Sequence, residues 1–231
     1  MITTFLYFSF MFIYNILFFT VLIIFIFYAI IFYVYGKFWR SYDKYIEYDI
    51  DKKHVSIVIA HRNDFERIAL LINDLENQDC INIKYELIIV DDHSEKKQLE
   101  NLKHTISNKR WINLISLDTG VNGKKNAMKL GVESSQGTII LSTDSDCRVL
   151  KSWVRTMVNF FYKKDVNVIC GPVNLIREEG LFYIFQTLDF LSLVASGGSS
   201  INLNKPIFCN GANIAFRKKI YEGISDRIFN N

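Results

Sequence analysis

The sequence predicts an α/β protein, a doubly wound and mostly parallel sheet preceded by one transmembrane helix. Three observations carry this. Residues 1–36 contain no charged side chain, and a span needs roughly 20 apolar residues. Short apolar runs then alternate with amphipathic helical patterns, the signature of parallel strands joined by crossover helices. Two of those apolar runs end in paired acids, Asp91-Asp92 and Asp144-Ser145-Asp146.

The anchor is assigned to 1–36 and a juxtamembrane linker to 37–54. Phe, Ile, Leu, Tyr and Val dominate the first segment. The linker gathers Lys37, Arg40, Lys44, Lys52 and Lys53, with Trp39, Tyr42, Tyr45 and Tyr48 among them. Basic and aromatic residues just after a span mark a membrane boundary, and the positive-inside rule puts their side in the cytoplasm. The expected location is the inner (cytoplasmic) membrane, single-pass, with the rest of the chain cytoplasmic. A signal peptide fits poorly, since no basic residue precedes the apolar run and no small-residue cleavage site follows it.

The α/β domain is assigned to 55–231. Val55–Ala60 reads as the first buried strand, followed by an N-cap at Asn63 or Asp64 and by Ile68, Leu71, Ile72 and Leu75 at helical spacing. Tyr85–Val90 is a second strand, and a charged helix covers about 95–107. Trp111–Leu117 is a third strand. Gly120–Gly123 make a turn, and Lys124–Ser134 a helix. The strand that ends in Asp144 comes next, then a helix over 152–163 and a strand over Val166–Cys170. Beyond 171 the pattern loosens. Leu181–Ala195 reads as an apolar helix, Gly197–Ser200 as flexible, and Asn210–Asn213 as a turn before the basic Arg217-Lys218-Lys219.

Composition excludes several classes. The net charge of +3 is too small to argue for nucleic acid. Cys80, Cys147, Cys170 and Cys209 form no C-x-x-C pair, which suits reduced thiols better than a disulfide framework or zinc site. The four histidines show no ligand spacing.

The chemistry lies in the acids. Residues i and i+2 of an extended chain share a side, so Asp144 and Asp146 project together from the carboxyl end of a strand. Ligands of open α/β sheets sit at that end. Clustered carboxylates need a cation between them, and a divalent ion that also holds phosphate supplies it. Lys124 opens the helix before the second acidic strand, where an ammonium and a helix N-terminus favour phosphate. Together these describe a site for a nucleotide diphosphate. Each part also has a plain structural reading. Asp144 could cap a helix while Asp146 is solvated, Asp91-Asp92 could cap the helix after them, and Lys124 and Lys125 could be solvated helix charges.

Five segments in order resemble the family 2 glycosyltransferases of the GT-A type. Ala60-His61-Arg62-Asn63-Asp64 resembles their strand and Asn-Glu turn, with Asp64 for the usual Glu. Val90-Asp91-Asp92-His93-Ser94 matches V-D-D-x-S, and Gly123–Met128 resembles G-K-x-x-A-L. Thr143–Asp146 is similar to the metal-binding D-x-D, and Asn210–Arg217 to G-A-N-x-A-F-R. The resemblance implies a GT-A fold and transfer of a sugar, with inversion, from a nucleotide-diphosphate sugar to an acceptor hydroxyl. Asp92, Lys124, Asp144 and Asp146 would hold the donor, with Asp146 and Asp144 on Mg2+ or Mn2+. Asn210, Gly211, Ala212 and Asn213 would face a glycan or lipid-linked acceptor, in cell-envelope glycan synthesis at the membrane.

The family's general base belongs to an acidic pair after the G-A-N element. Only Glu222 and Asp226 follow Asn213, in another setting. The sequence therefore reads as truncated, with the base expected beyond Asn231. The alternative is a catalytically incomplete nucleotide-sugar-binding membrane protein or partner subunit. A phospho-acceptor reading of Asp91-Asp92 leaves the second acidic strand without a purpose.

Overall fold

The computed structural model describes residues 2–40, 54–80, 83–163, 166–176 and 179–229. The linker positions Tyr42, Lys44, Tyr45, Tyr48, Lys52 and Lys53 lie outside them. The described chain divides into two compact units, one of residues 1–43 with 176–208 and one of residues 44–175 with 209–231.

The second unit is the α/β body. Its strands are β1 (His54–His61), β2 (Lys84–Asp91), β3 (Ile112–Ser116), β4 (Ile139–Ser142), β5 (Val168–Cys170) and β6 (Ile214–Arg217), in the order β3-β2-β1-β4-β6-β5. β1, β2, β3 and β4 pair in parallel, and β6 runs antiparallel to both its neighbours. The sheet is mostly parallel, as the alternating pattern implies. Strand β6 is the exception. Ile-Ala-Phe-Arg is too short to announce itself, and only its pairing with β4 and β5 makes it a strand.

Period-2 alternation divides the core between the two faces. Val55, Ile57 and Ile59 of β1 point to one face, where Leu71, Ile72 and Leu75 of α1 (Phe65–Glu76), Leu102 of α2 (Lys96–Ile106), and Val154 and Val158 of α3 (Trp153–Lys163) join them. Val58, Ile88, Val90 and Ile140 point to the other face, against Ala127 and Val132 of α4 (Lys124–Ser134). Helices cover both faces, so the sheet is doubly wound. Tyr221 of α5 (Lys218–Phe229) stacks on Phe216, with ring centroids 5.4 Å apart.

The first unit contains αN (Ile2–Trp39) and αM (Leu181–Asn202). By length and composition alone, Phe10–Trp39 and Leu181–Asn202 are each apolar enough to cross a membrane. The helix expected over 181–195 runs on to Asn202, and Gly197–Ser200 are helical, not flexible. Packing explains the difference. A Cβ on Gly198 would meet Trp39 at 2.8 Å and one on Gly197 would meet Phe208 at 3.1 Å, so the missing side chains permit a close approach. Ser199 Oγ donates to the Tyr35 carbonyl at 2.8 Å and Asn202 Nδ2 to that of Phe38 at 3.0 Å. The latter satisfies a carbonyl that the end of αN leaves open.

Candidate functional site

Register brings the acids together. His61 of β1 pairs with Asp91 of β2, and Val58 pairs with Ser142 of β4. The chain after Ser142 leaves the sheet at the same carboxyl edge as the ends of β1 and β2. The chain runs from β1 to β2 on one side and reaches β4 on the other, so the crevice opens where the strand order reverses, the usual ligand position of open α/β sheets. There a cleft of about 260 Å3 is lined by Ala60, His61, Arg62, Asp64, Asp92, Lys124, Asp144, Ser145 and Asp146.

Asp92 is buried. Its Oδ2 accepts the Gly123 N–H at 3.0 Å and lies 3.8 Å from Arg62, while its Oδ1 has no partner. The Gly123 bond ties the end of β2 to the start of α4. Gly123 sits at φ 93°, a conformation that favours glycine, and Lys124 follows as the first helical residue. Lys124 Nζ donates to Asp144 Oδ1. Arg67 of α1 reaches Asp146 at 3.5 Å and Asp64 at 3.6 Å.

The acidic loop itself differs from expectation. β4 ends at Ser142, and 144–147 turn instead of extending, closed by the Cys147 N–H on the Asp144 carbonyl at 3.1 Å. Both carboxylates still line the cleft. The next helix begins at Trp153, so Asp144 caps none. Nor do the Asp91 and Asp92 carboxylates cap α2. Its N-cap is Glu95. Asp91 Oδ2 accepts the Ser94 N–H at 3.2 Å and Asn63 Oδ1 accepts the Glu95 N–H at 2.6 Å. The β1 and β2 turns are thus stitched to each other, with Asn63 and His93 at positive φ.

His61 was read only as part of a motif, yet it is a fully buried ring in the cleft wall with neither nitrogen hydrogen-bonded. Burial pushes its pKa below the ordinary value, against the opposing pull of Asp91 and Asp64. Arg62 and Asp64 belong to the same motif, with Asp64 at the N-cap position of α1 but making no side-chain cap bond, and Arg67 carries no sequence expectation. The available signal was order: a central strand β1, between β2 and β4, must send its carboxyl end into the same crevice.

Asn210, Gly211, Ala212 and Asn213 do not line this cleft. Gly211–Asn213 form one 3-10 turn, with Asn210 Oδ1 accepting the Ala212 N–H at 2.9 Å. Thr143 Oγ1 donates to the Ala212 carbonyl at 2.8 Å, fastening that turn beside the acidic loop. Asn213 is held by Trp153 Nε1 on its Oδ1 and by the Pro172 carbonyl on its amide, both at 2.9 Å.

Among the described residues no cluster of three or more His, Cys, Asp or Glu stands ready for a metal. Two carboxylates in one cleft still suit Mg2+ or Mn2+, which bind through one or two carboxylates plus substrate phosphates.

Residues 56–224 match the family model of Glycosyl transferase family 2. The chain belongs to that family. Among curated relatives, the glycosyltransferase AglE of Haloferax volcanii is 27% identical over 127 residues, covering 54% of this chain and 41% of the relative. The mannosyltransferase PcManGT of Pyrobaculum calidifontis, solved with GDP-Man and Mn2+, superposes with a TM-score of 0.65 at 16% identity, over 86% of this chain and 55% of that one. TarS residues 1–349 of Staphylococcus aureus, solved with UDP, gives 0.53 at 18% identity, over 74% and 49%. The two structures share the GT-A fold expected from the motifs. The chain spans about half the length, or less, of these relatives.

Proposed function

We propose that this protein transfers a sugar from a nucleotide-diphosphate sugar to an acceptor hydroxyl with inversion. The observation that carries the reading is the convergence of Asp92, Lys124, Asp144 and Asp146 on one cleft at the reversal of strand order. Asp92, with an unpartnered buried oxygen, would accept hydrogen bonds from the nucleoside. Lys124, at the N-terminus of α4, would face the diphosphate, where an ammonium and a helix end both favour negative charge. Asp144 and Asp146 would hold a divalent cation, which neutralises charge developing on the departing diphosphate.

The known complexes of PcManGT with GDP-Man and Mn2+, and of TarS with UDP, support this choice of donor and metal. The acceptor would approach from the Asn210–Asn213 side, and its carboxylate base lies outside the four donor residues. Direct displacement with one base inverts the anomeric centre. αN, charge-free until Lys37, would anchor the protein in the cytoplasmic membrane with its sheet on the cytoplasmic side, in cell-envelope glycan synthesis.

Calorimetry of the full chain with UDP or GDP tests the reading. Binding strengthened by Mn2+ and weakened by chelation is expected. No binding of either nucleotide under any metal condition would overturn it. Binding without transfer would leave a nucleotide-sugar-binding protein.

A further inference from the structure

We propose that αM is an in-plane membrane helix, lying at the headgroup level with one apolar stripe among the acyl chains. This rests on the reading that αN spans the bilayer.

Length and composition alone would allow αM to cross. Connectivity forbids it. β5 and β6 are neighbours, and Cys170 pairs with Ile214. The segment 171–213 therefore leaves and re-enters one edge of one sheet, and both its ends lie on the same side of any membrane. A single crossing by αM would need a second crossing to return. Only 171–180 and 203–213 are available for it. Neither approaches the roughly 20 residues of a spanning helix. The first contains Arg177, Glu178 and Glu179, and the second contains Asn204 and Lys205. Charged segments this short do not cross lipid unaided.

The end of αM is fixed at a definite level of αN. Ser199 bonds the Tyr35 carbonyl, Asn202 bonds that of Phe38, and Gly198 abuts Trp39. αN acquires its first charges there, Lys37 and Arg40, beside Trp39. Basic residues and Trp mark the boundary between lipid and water. The C-terminal end of αM is therefore held at that boundary.

Its exposed side chains agree. Leu181, Ile184, Leu188 and Leu191 follow helical spacing along one stripe, with Phe185 beside it, and all are solvent-accessible in the isolated chain. Gln186 and Asp189 lie on another flank, where Phe182 and Leu193 are exposed as well. The stripe belongs to the same compact unit as the exposed apolar surface of αN, which makes lipid its occupant.

The test uses the full chain in phosphatidylcholine–phosphatidylglycerol vesicles, with bromines placed near the ester end or near the methyl end of the acyl chain. Leu188→Trp and Leu191→Trp each add one fluorophore, read as the difference from wild type, with circular dichroism checking that each variant folds. A helix lying about 5–10 Å deep should lose roughly twice as much added emission to the shallow bromines as to the deep ones. Strongest quenching by the deep bromines would mean a crossing helix and would overturn the proposal. No quenching would mean water or a protein partner, and would overturn it too. Phe19→Trp, midway along αN, reports the underlying reading separately and should be quenched most by the deep bromines. If that arm fails, the anchor reading falls; if it succeeds and the αM arms fail, only the in-plane proposal falls.

Discussion

At the scale of single residues, Asp92 separates recognition from structure. One of its oxygens holds the α4 N-terminus through Gly123, and the other is buried without a partner. Asparagine can keep the first contact with its carbonyl oxygen but brings neutral charge and an amide donor. Asp92→Asn should fold and bind UDP or GDP about ten- to a hundredfold more weakly, the worth of one charged hydrogen bond, as calorimetry would read. His61 gives a pH signature. Its folded pKa lies below that of the unfolded chain, so above about 6.5 the ring is neutral in both states and adds no pH dependence. As pH falls below that value the unfolded chain takes up a proton that the folded chain refuses, and stability drops until the folded pKa is passed. Acid titration of the tryptophan-monitored unfolding midpoint should show this loss, and His61→Leu should remove it. The acids that define the cleft were legible in the sequence because charge at the end of an apolar strand is conspicuous. His61 was not, because a lone histidine after a strand looks the same whether its ring is buried or solvated.

At the scale of elements, α4 is the part whose placement matters most, since it sets Lys124. Gly131 makes that placement possible. A Cβ there would stand 2.3 Å from Val58 Cγ1 and 3.0 Å from Val90 Cγ2. Both valines belong to central strands that cannot retreat, so the helix must lift. Gly131→Ala should cost about 1–3 kcal/mol of stability by denaturant titration, despite alanine's better helix propensity. It should also weaken nucleotide binding by shifting the first turn of α4. The elements with strong local periodicity were readable. Lys124–Ser134 has the bounds expected, and α2 and α3 lie within a residue or so of theirs. Two elements escaped for opposite reasons. β6 is four residues whose strand character comes wholly from neighbours distant in sequence. The end of αM is rich in glycine and serine, which taken alone argue against a helix, yet there they admit Trp39.

At the scale of the whole molecule, every cleft residue belongs to the α/β unit, and none to the unit of αN and αM. The cleft exists only while β1, β2, β4 and α4 are assembled, because its walls come from four separate segments. A ligand that binds only this assembly must stabilise it by linkage, about 2.7 kcal/mol at a hundredfold excess over Kd. For a body of this size that is a rise of roughly 5–10 °C in Tm. The tryptophans can report it by unit. Trp111 packs edge-on against Tyr85 with centroids 5.6 Å apart, and Trp153 donates to Asn213, both inside the α/β unit. Trp39 belongs to the other. Heating the full chain in detergent with excess UDP and Mn2+ should delay the emission change of Trp111 and Trp153. Chelation should cancel part of the delay, and Asp144→Asn with Asp146→Asn should cancel the same part with metal present. Helical circular dichroism from αN and αM should persist beyond that transition and not shift with ligand, since backbone satisfied within an apolar helix gains nothing from a nucleotide bound elsewhere. If the two signals moved together, the units would melt as one, and nucleotide binding would be coupled to αM and to αN, which the sequence assigns to lipid.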